Sequence, residues 1–332
     1  MGAKDKKNKE KQYPVGGQAL IEGVMMRGKD AYSIALLKKD GEVDVKRFEH
    51  KAISEKIKFF KVPFVRGIGA LVDSMKIGIK SLMYSANEAL KEEEAINPPK
   101  KAKSKKTEKA QNTLLGIVSI VFAFGLFVAV PNVVVHLFGL VEAQKPILFN
   151  IVSGVLRIFM FIIYVSLISL MKDVRRVFQF HGAEHKAVNA YEAGKPVDLE
   201  TVKTFTTFHP RCGTSFMFFV LLIAILIFSF VPILFMAIFP GFLGINVILR
   251  KTILILSHIL LLPLVAGLSY ELIRLTFKGK NNIFIKILSS PGYGIQKITT
   301  REPDENQLKC AIAAINEVIQ DKKKSGESEE AA

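Results

Sequence analysis

Phe216–Phe239 reads FMFFVLLIAILIFSFVPILFMAIF, an apolar run with no charged residue in it. A helix needs roughly 20 such residues to cross about 30 Å of hydrocarbon. In lipid the backbone must satisfy its own hydrogen bonds, so the run reads as a transmembrane helix. Three further blocks share its character: Thr113–Leu140, Ile147–Met171 and Thr252–Leu272. Pro131, Asn132 and His136 lie toward the far end of the first block. Arg157 interrupts the second, at a depth where a lone cation must snorkel, pair or face a polar interior. His258 and Pro263 lie inside the last, and Pro232 inside Phe216–Phe239. The links Val141–Pro146 and Pro240–Lys251 are short, which predicts two antiparallel helical hairpins.

Charge orients these spans. The 332 residues carry 46 Lys and Arg against 30 Asp and Glu, a net charge of +16, mostly outside the apolar blocks. The region before residue 113, Lys172–Arg176 and Arg274–Lys280 are basic and fall on one side of a four-span arrangement. The positive-inside rule makes that side cytoplasmic and places both termini there. Arg250 and Lys251 at the opposite end disagree, two charges against three basic clusters. The excess charge suits anionic lipid and also suits RNA, hence a ribosome partner. The start, MGAKDKKNKEKQYPVGG, has no apolar segment behind it and does not read as a signal peptide. Cys212 and Cys310 form no C-x-x-C pair, which argues against a disulfide framework.

The expected fold is a polytopic α-helical membrane protein with four transmembrane helices. A mixed α/β cytoplasmic domain is built from its N-terminal, central-loop and C-terminal segments. By composition the chain divides into a basic tail (1–12), an α/β region (13–94), a basic linker (95–111), a first transmembrane hairpin (112–171), a central motif loop (172–213), a second hairpin (214–273), a C-terminal segment (274–321) and a second tail (322–332). Within Val15–Gly28, the glycines Gly16, Gly17 and Gly23 point to turns or close packing. Tyr32–Leu37 and Glu42–Phe48 flank Lys38-Lys39-Asp40-Gly41, a β-hairpin signal. Ile57–Leu90 reads as an interrupted amphipathic helix, either on the membrane surface or inside the domain. Pro291-Gly292 predicts a turn, Gly294–Thr299 a strand, and Asp304–Ile319 a helix with Cys310 as an ordinary member.

A polar island lies between the two hairpins. His181-Gly182-Ala183-Glu184-His185 is H-x-x-E-H, and His209-Pro210-Arg211-Cys212 follows just before the Phe216 span. On a helix His181 and His185 share a face, with Glu184 reachable from the same side. Two neutral imidazoles can hold Zn²⁺ while Glu184 polarises a bound water as general base. Such a site needs another protein ligand, and His209, Cys212 and Glu271 are the candidates. Other readings remain open: a buried hydrogen-bonded network, or a nucleophilic Cys212 paired with His209 or His185. Glu22 and Arg27 could pair with each other or fold back onto the site, and His50 reads as a surface residue.

Gly17–Arg27 (GQALIEGVMMR), His181–Lys186 (HGAEHK), His209–Ser215 (HPRCGTS), Tyr270–Arg274 (YELIR) and Thr299–Pro303 (TTREP) together resemble the YqhQ-like family of bacterial membrane proteins. The resemblance covers nearly the whole chain from Tyr13 to Gln320 and implies a metal-dependent enzyme in a bacterial cytoplasmic membrane. The leading reading is a membrane-embedded accessory or scaffold protein for a membrane complex, with a metal-binding polar site. The alternatives are a zinc-dependent hydrolase at the cytoplasmic face and a small-solute transporter. Four spans make a small pathway, so the transporter would be a homo-oligomer.

Overall fold

A computed structural model describes residues 13–57, 62, 65–97, 105–142, 144–278 and 283–319. The two expected tails, residues 58–61 and 63–64 of the amphipathic segment, and 98–104 of the basic linker lie outside these residues.

Four antiparallel strands form one sheet in chain order: β1 (Gly16–Leu20), β2 (Gly23–Arg27), β3 (Ala31–Leu37) and β4 (Val43–Glu49). Both close turns need a residue in the left-handed region. Glu22 adopts φ 53° between β1 and β2, and Gly41 adopts φ 90° between β3 and β4. The predicted hairpin pairs Tyr32 with Phe48 and Leu37 with Val43. Gly23 lets β2 approach β3, because a Cβ there would sit 2.3 Å from the Ala35 carbonyl oxygen.

After a short turn, α1 (Ile53–Lys56), comes α2 (Val65–Ile96). The interruption expected of this segment is absent from Val65 onward. Its glycines serve packing: Gly67 lies against Tyr270, and Gly78 against Gln18. Next are α3 (Lys105–Phe124), a π-helical turn at Gly125–Ala129, α4 (Val130–Leu137) and α5 (Pro146–Ile168). Then follow α6 (Lys172–Glu192), α7 (Leu199–Lys203), α8 (Gly213–Ile238) and α9 (Val247–Lys278). The chain continues in α10 (Ile283–Thr299) and α11 (Glu305–Ile319). The expected strand Gly294–Thr299 is helical, and Pro291-Gly292 lies inside α10 rather than in a turn. Gly292 serves packing there, since a Cβ would meet Ser215 Oγ at 2.6 Å. Its absence lets α10 lie against the start of α8.

Four stretches are long and apolar enough to cross a membrane: Thr113–Leu137, Pro146–Ile168, Gly213–Ile238 and Val247–Leu275. They fit a multi-pass membrane protein, with many side chains such as Phe159, Leu226, Phe230 and Leu260 exposed toward the surroundings. The three sequence segments outside the spans fold together. α6 and α11 pack on the sheet, burying Val24, Met26, Ala35, Phe180, Ala187, Leu308, Ala311 and Ile315 in one core. The apolar period of α11, Leu308, Ala311, Ile315 and Val318, therefore faces that core.

Candidate metal centre

The H-x-x-E-H residues lie in the middle of α6, where the helix passes over β1. The 3.6-residue period stacks His181 on His185, with ring centroids 4.4 Å apart. Gly182, between them, lets another segment press close: a Cβ there would sit 2.0 Å from the Arg301 carbonyl oxygen. Arg301 N–H in turn donates to Phe178 O at 2.9 Å. This close approach brings Thr299 O to 2.8 Å from His181 Nδ1. His185 Nδ1 lies 2.5 Å from Thr207 O. A carbonyl oxygen only accepts, so each Nδ1 carries the hydrogen and each Nε2 presents a lone pair. This is the arrangement that orients metal-binding imidazoles.

Cys212 enters from another element. It is the N-cap of α8, and its Sγ lies 3.4 Å from Thr214 N and 3.2 Å from His181 Nε2. His181, His185 and Cys212 each offer one ligand atom, and these atoms lie within 4.8 Å of one another. Two imidazole nitrogens and a sulfur fit the donor preferences of zinc.

Glu184 stands beside this trio. Its Oε2 is 3.5 Å from His185 Nε2, and the residue is 5% exposed. Gly17 makes room for it, since a Cβ there would meet Glu184 Cγ at 2.6 Å. Burial pushes the Glu184 carboxyl above its usual range, opposed by His181, His209, the Gly17 N–H and Arg211. Burial also pushes His185 down, toward the neutral form that binds metal. These groups line a cavity of 370 Å³ with the start of β1, Met25, Arg27, Ile77, Arg211 and Gly213.

The remaining candidates are not part of the donor trio. The His209 ring is 5.7 Å from that of His185, but its Nε2 lies 3.4 Å from Glu192 Oε2. Gln296 holds the His209 backbone at both ends, accepting from its N–H and donating to its carbonyl, each at 2.9 Å. His209 therefore lines the cavity beside the donor trio. Glu271 is not at the site: Arg66 grips it with two hydrogen bonds of 2.7 and 2.6 Å, where α2 meets α9. Glu22 pairs with Arg176 at 2.5 Å, and Arg27 with Asp73 at 3.0 Å. His50 is no surface residue, because its Nε2 lies 3.4 Å from the buried Asp73. Cys310 is buried in α11 and donates to Ala35 O, and burial pushes its thiol up to about 12. Thr207, Thr299 and Gln296 escaped the sequence reading, because the threonines act through backbone carbonyls that any residue could supply and Gln296 acts across a distance no local pattern marks. Gly182 was not singled out either, though a glycine between two candidate ligands is a signal for close approach.

Residues 62–321 match a family described as "Protein of unknown function (DUF1385)". The chain belongs to this family. It is also similar to "Uncharacterized protein YqhQ" of Bacillus subtilis (strain 168), 31% identical over 311 residues that cover 92% of each chain. No solved structure matches. The matched family region takes in all three members of the donor trio and Glu184.

Proposed function

We propose that the protein binds one zinc ion through His181, His185 and Cys212 and uses it for hydrolysis at the cytoplasmic face of a bacterial membrane. The observation that carries the reading is the convergence of one donor atom each from His181, His185 and Cys212 at a cavity. Structural zinc sites close with four protein ligands, whereas catalytic ones keep three and an open position. Three donors form the cluster among the described residues, and Glu184 stands next to it without joining it. That layout favours the hydrolase over the scaffold. Zinc would supply Lewis acidity there. Glu184 would take a proton from the attacking water and return it to the leaving group. His181 and His185 would be held in register by Thr299 O and Thr207 O.

The test is zinc content and hydrolysis of a small activated-ester probe by the full-length protein in detergent. Glu184→Gln should keep the zinc and lose about 10²–10⁴-fold in rate, the usual contribution of a general base. Unchanged turnover in that variant, or no zinc after reconstitution of the folded protein, would refute the reading.

A further inference from the structure

We infer that the substrate is an extended polypeptide segment, held by strand addition to the free edge of β1. This rests on the hydrolase reading above and names its substrate class. β1 ends the sheet, paired only with β2 among the described strands. In an antiparallel pair, alternate residues bond the partner strand and those between turn their peptide groups away. Gly17 belongs to the outward set, because the two-residue turn closes on the Leu20–Gly23 pair and the alternate residues Gln18 and Gly16 then bond β2. Ala19, two residues on, has the same orientation. Gly16 and Gly17 are exposed, and Gly16, Gly17 and Gln18 line the same cavity as His181, His185 and Cys212.

Glu184 takes the Gly17 N–H, while the Ala19 N–H and the Gly17 and Ala19 carbonyls meet no partner strand among the described residues, and their natural complement is another extended backbone. Met25 and Ile77 supply apolar wall for the incoming side chains. A strand laid on this edge passes the metal donors with a carbonyl within reach of them. The reaction is then peptide-bond hydrolysis: the water oxygen joins the carbonyl carbon as the C–N bond breaks. Glu184 carries the water's proton to the departing amine nitrogen, and no redox change occurs.

Binding can be measured without turnover. The probe is a fluorescein-labelled Val/Thr-rich decapeptide, titrated by anisotropy into zinc-loaded, full-length Glu184→Gln protein in nanodiscs. Saturable binding is expected. At least tenfold weaker binding is expected for the same peptide N-methylated at alternate residues, which cannot pair as a strand. Ala19→Pro should weaken the unmodified peptide at least tenfold, since it removes an outward N–H from an edge strand. Equal affinity for the two peptides overturns the inference whether or not Ala19→Pro folds. So does the absence of binding to protein that carries zinc, an outcome that leaves the hydrolase reading standing. Protein that folds and carries no zinc defeats the hydrolase reading itself.

Discussion

Two clusters of polar side chains are buried in this molecule, one in the layer formed by α6, α11 and the sheet, the other within the apolar bundle. In the first, His181 and His185 each give an Nδ1 hydrogen to a backbone carbonyl, and Gln296 makes three hydrogen bonds. In the second, Arg157 Nη2 donates to Asn132 Oδ1 at 2.9 Å, while Arg157 Nε, His258 Nε2 and Ser153 Oγ have no partner among the described residues. The His258 ring instead stacks on Phe228 at 4.3 Å. Polar atoms buried without partners cost stability. A site whose atoms are all held in fixed directions is prepared for a ligand. The difference teaches where to expect function: the first cluster is oriented and opens on a cavity, and the second is a few polar atoms tolerated between helices.

The comparison breaks most directly at the ligands. His185→Ala should abolish tight zinc binding, while Arg157→Met leaves zinc at wild-type stoichiometry. Equal zinc loss in both, by metal analysis of folded protein, would erase the distinction. Next in size is Gly182→Ala. Its Cβ collides with the Arg301 carbonyl, so the 299–301 segment must shift and the Thr299 anchor of His181 with it. A loss of zinc affinity of about 10–100-fold is expected, as for other partners behind a metal ligand. The overpacking itself should cost about 1–3 kcal/mol. Wild-type affinity in a competition titration would show that the carbonyl anchor is dispensable.

In the bundle the sign should reverse. Arg157→Met replaces an incompletely satisfied buried cation by an apolar chain of similar length. Thermal stability in detergent should stay level or rise, by up to about 4 kcal/mol. A clear fall would mean that Arg157 has a partner that matters.

The smallest effect sharpens the comparison with a third, fully paired group. Burial acts to raise the Asp73 carboxyl, but the Ile53 N–H, Arg27 and His50 outweigh it and hold the carboxyl below its ordinary range. A carboxyl lowered on folding contributes stability that is complete above its unfolded value, about 3.9, and is lost as pH falls through the folded one. Melting curves from pH 7 downward should therefore steepen in the acid range, and Asp73→Asn should flatten that slope. Identical acid slopes would show that the Arg27–Asp73 pair carries no pH dependence.

Much of the architecture was legible because it depends on local properties. Hydrophobic length announces a span wherever it occurs, and the observed bounds of Gly213–Ile238 differ little from Phe216–Phe239. The β3–β4 turn is likewise carried by Asp40-Gly41, and the α11 helix by its period. Gly294–Thr299 misled because its apolar and polar residues suit a short strand as well as a helix, and its packing against α8 lay outside any local window.

The H-x-x-E-H spacing by itself determined that two imidazoles and a carboxylate share a helix face, since 3.6 residues per turn allows little else. It could not choose among His209, Cys212 and Glu271. The chain separates all three from α6, and their approach depends on how α6, α8 and α9 pack. Tertiary structure brought Cys212 to His181 by placing the N-terminus of α8 beside α6. It gave Glu271 to Arg66 and His209 to Gln296. The helices were written in local periodicity, while the donor set was decided by distances between segments that only the packed fold brings together.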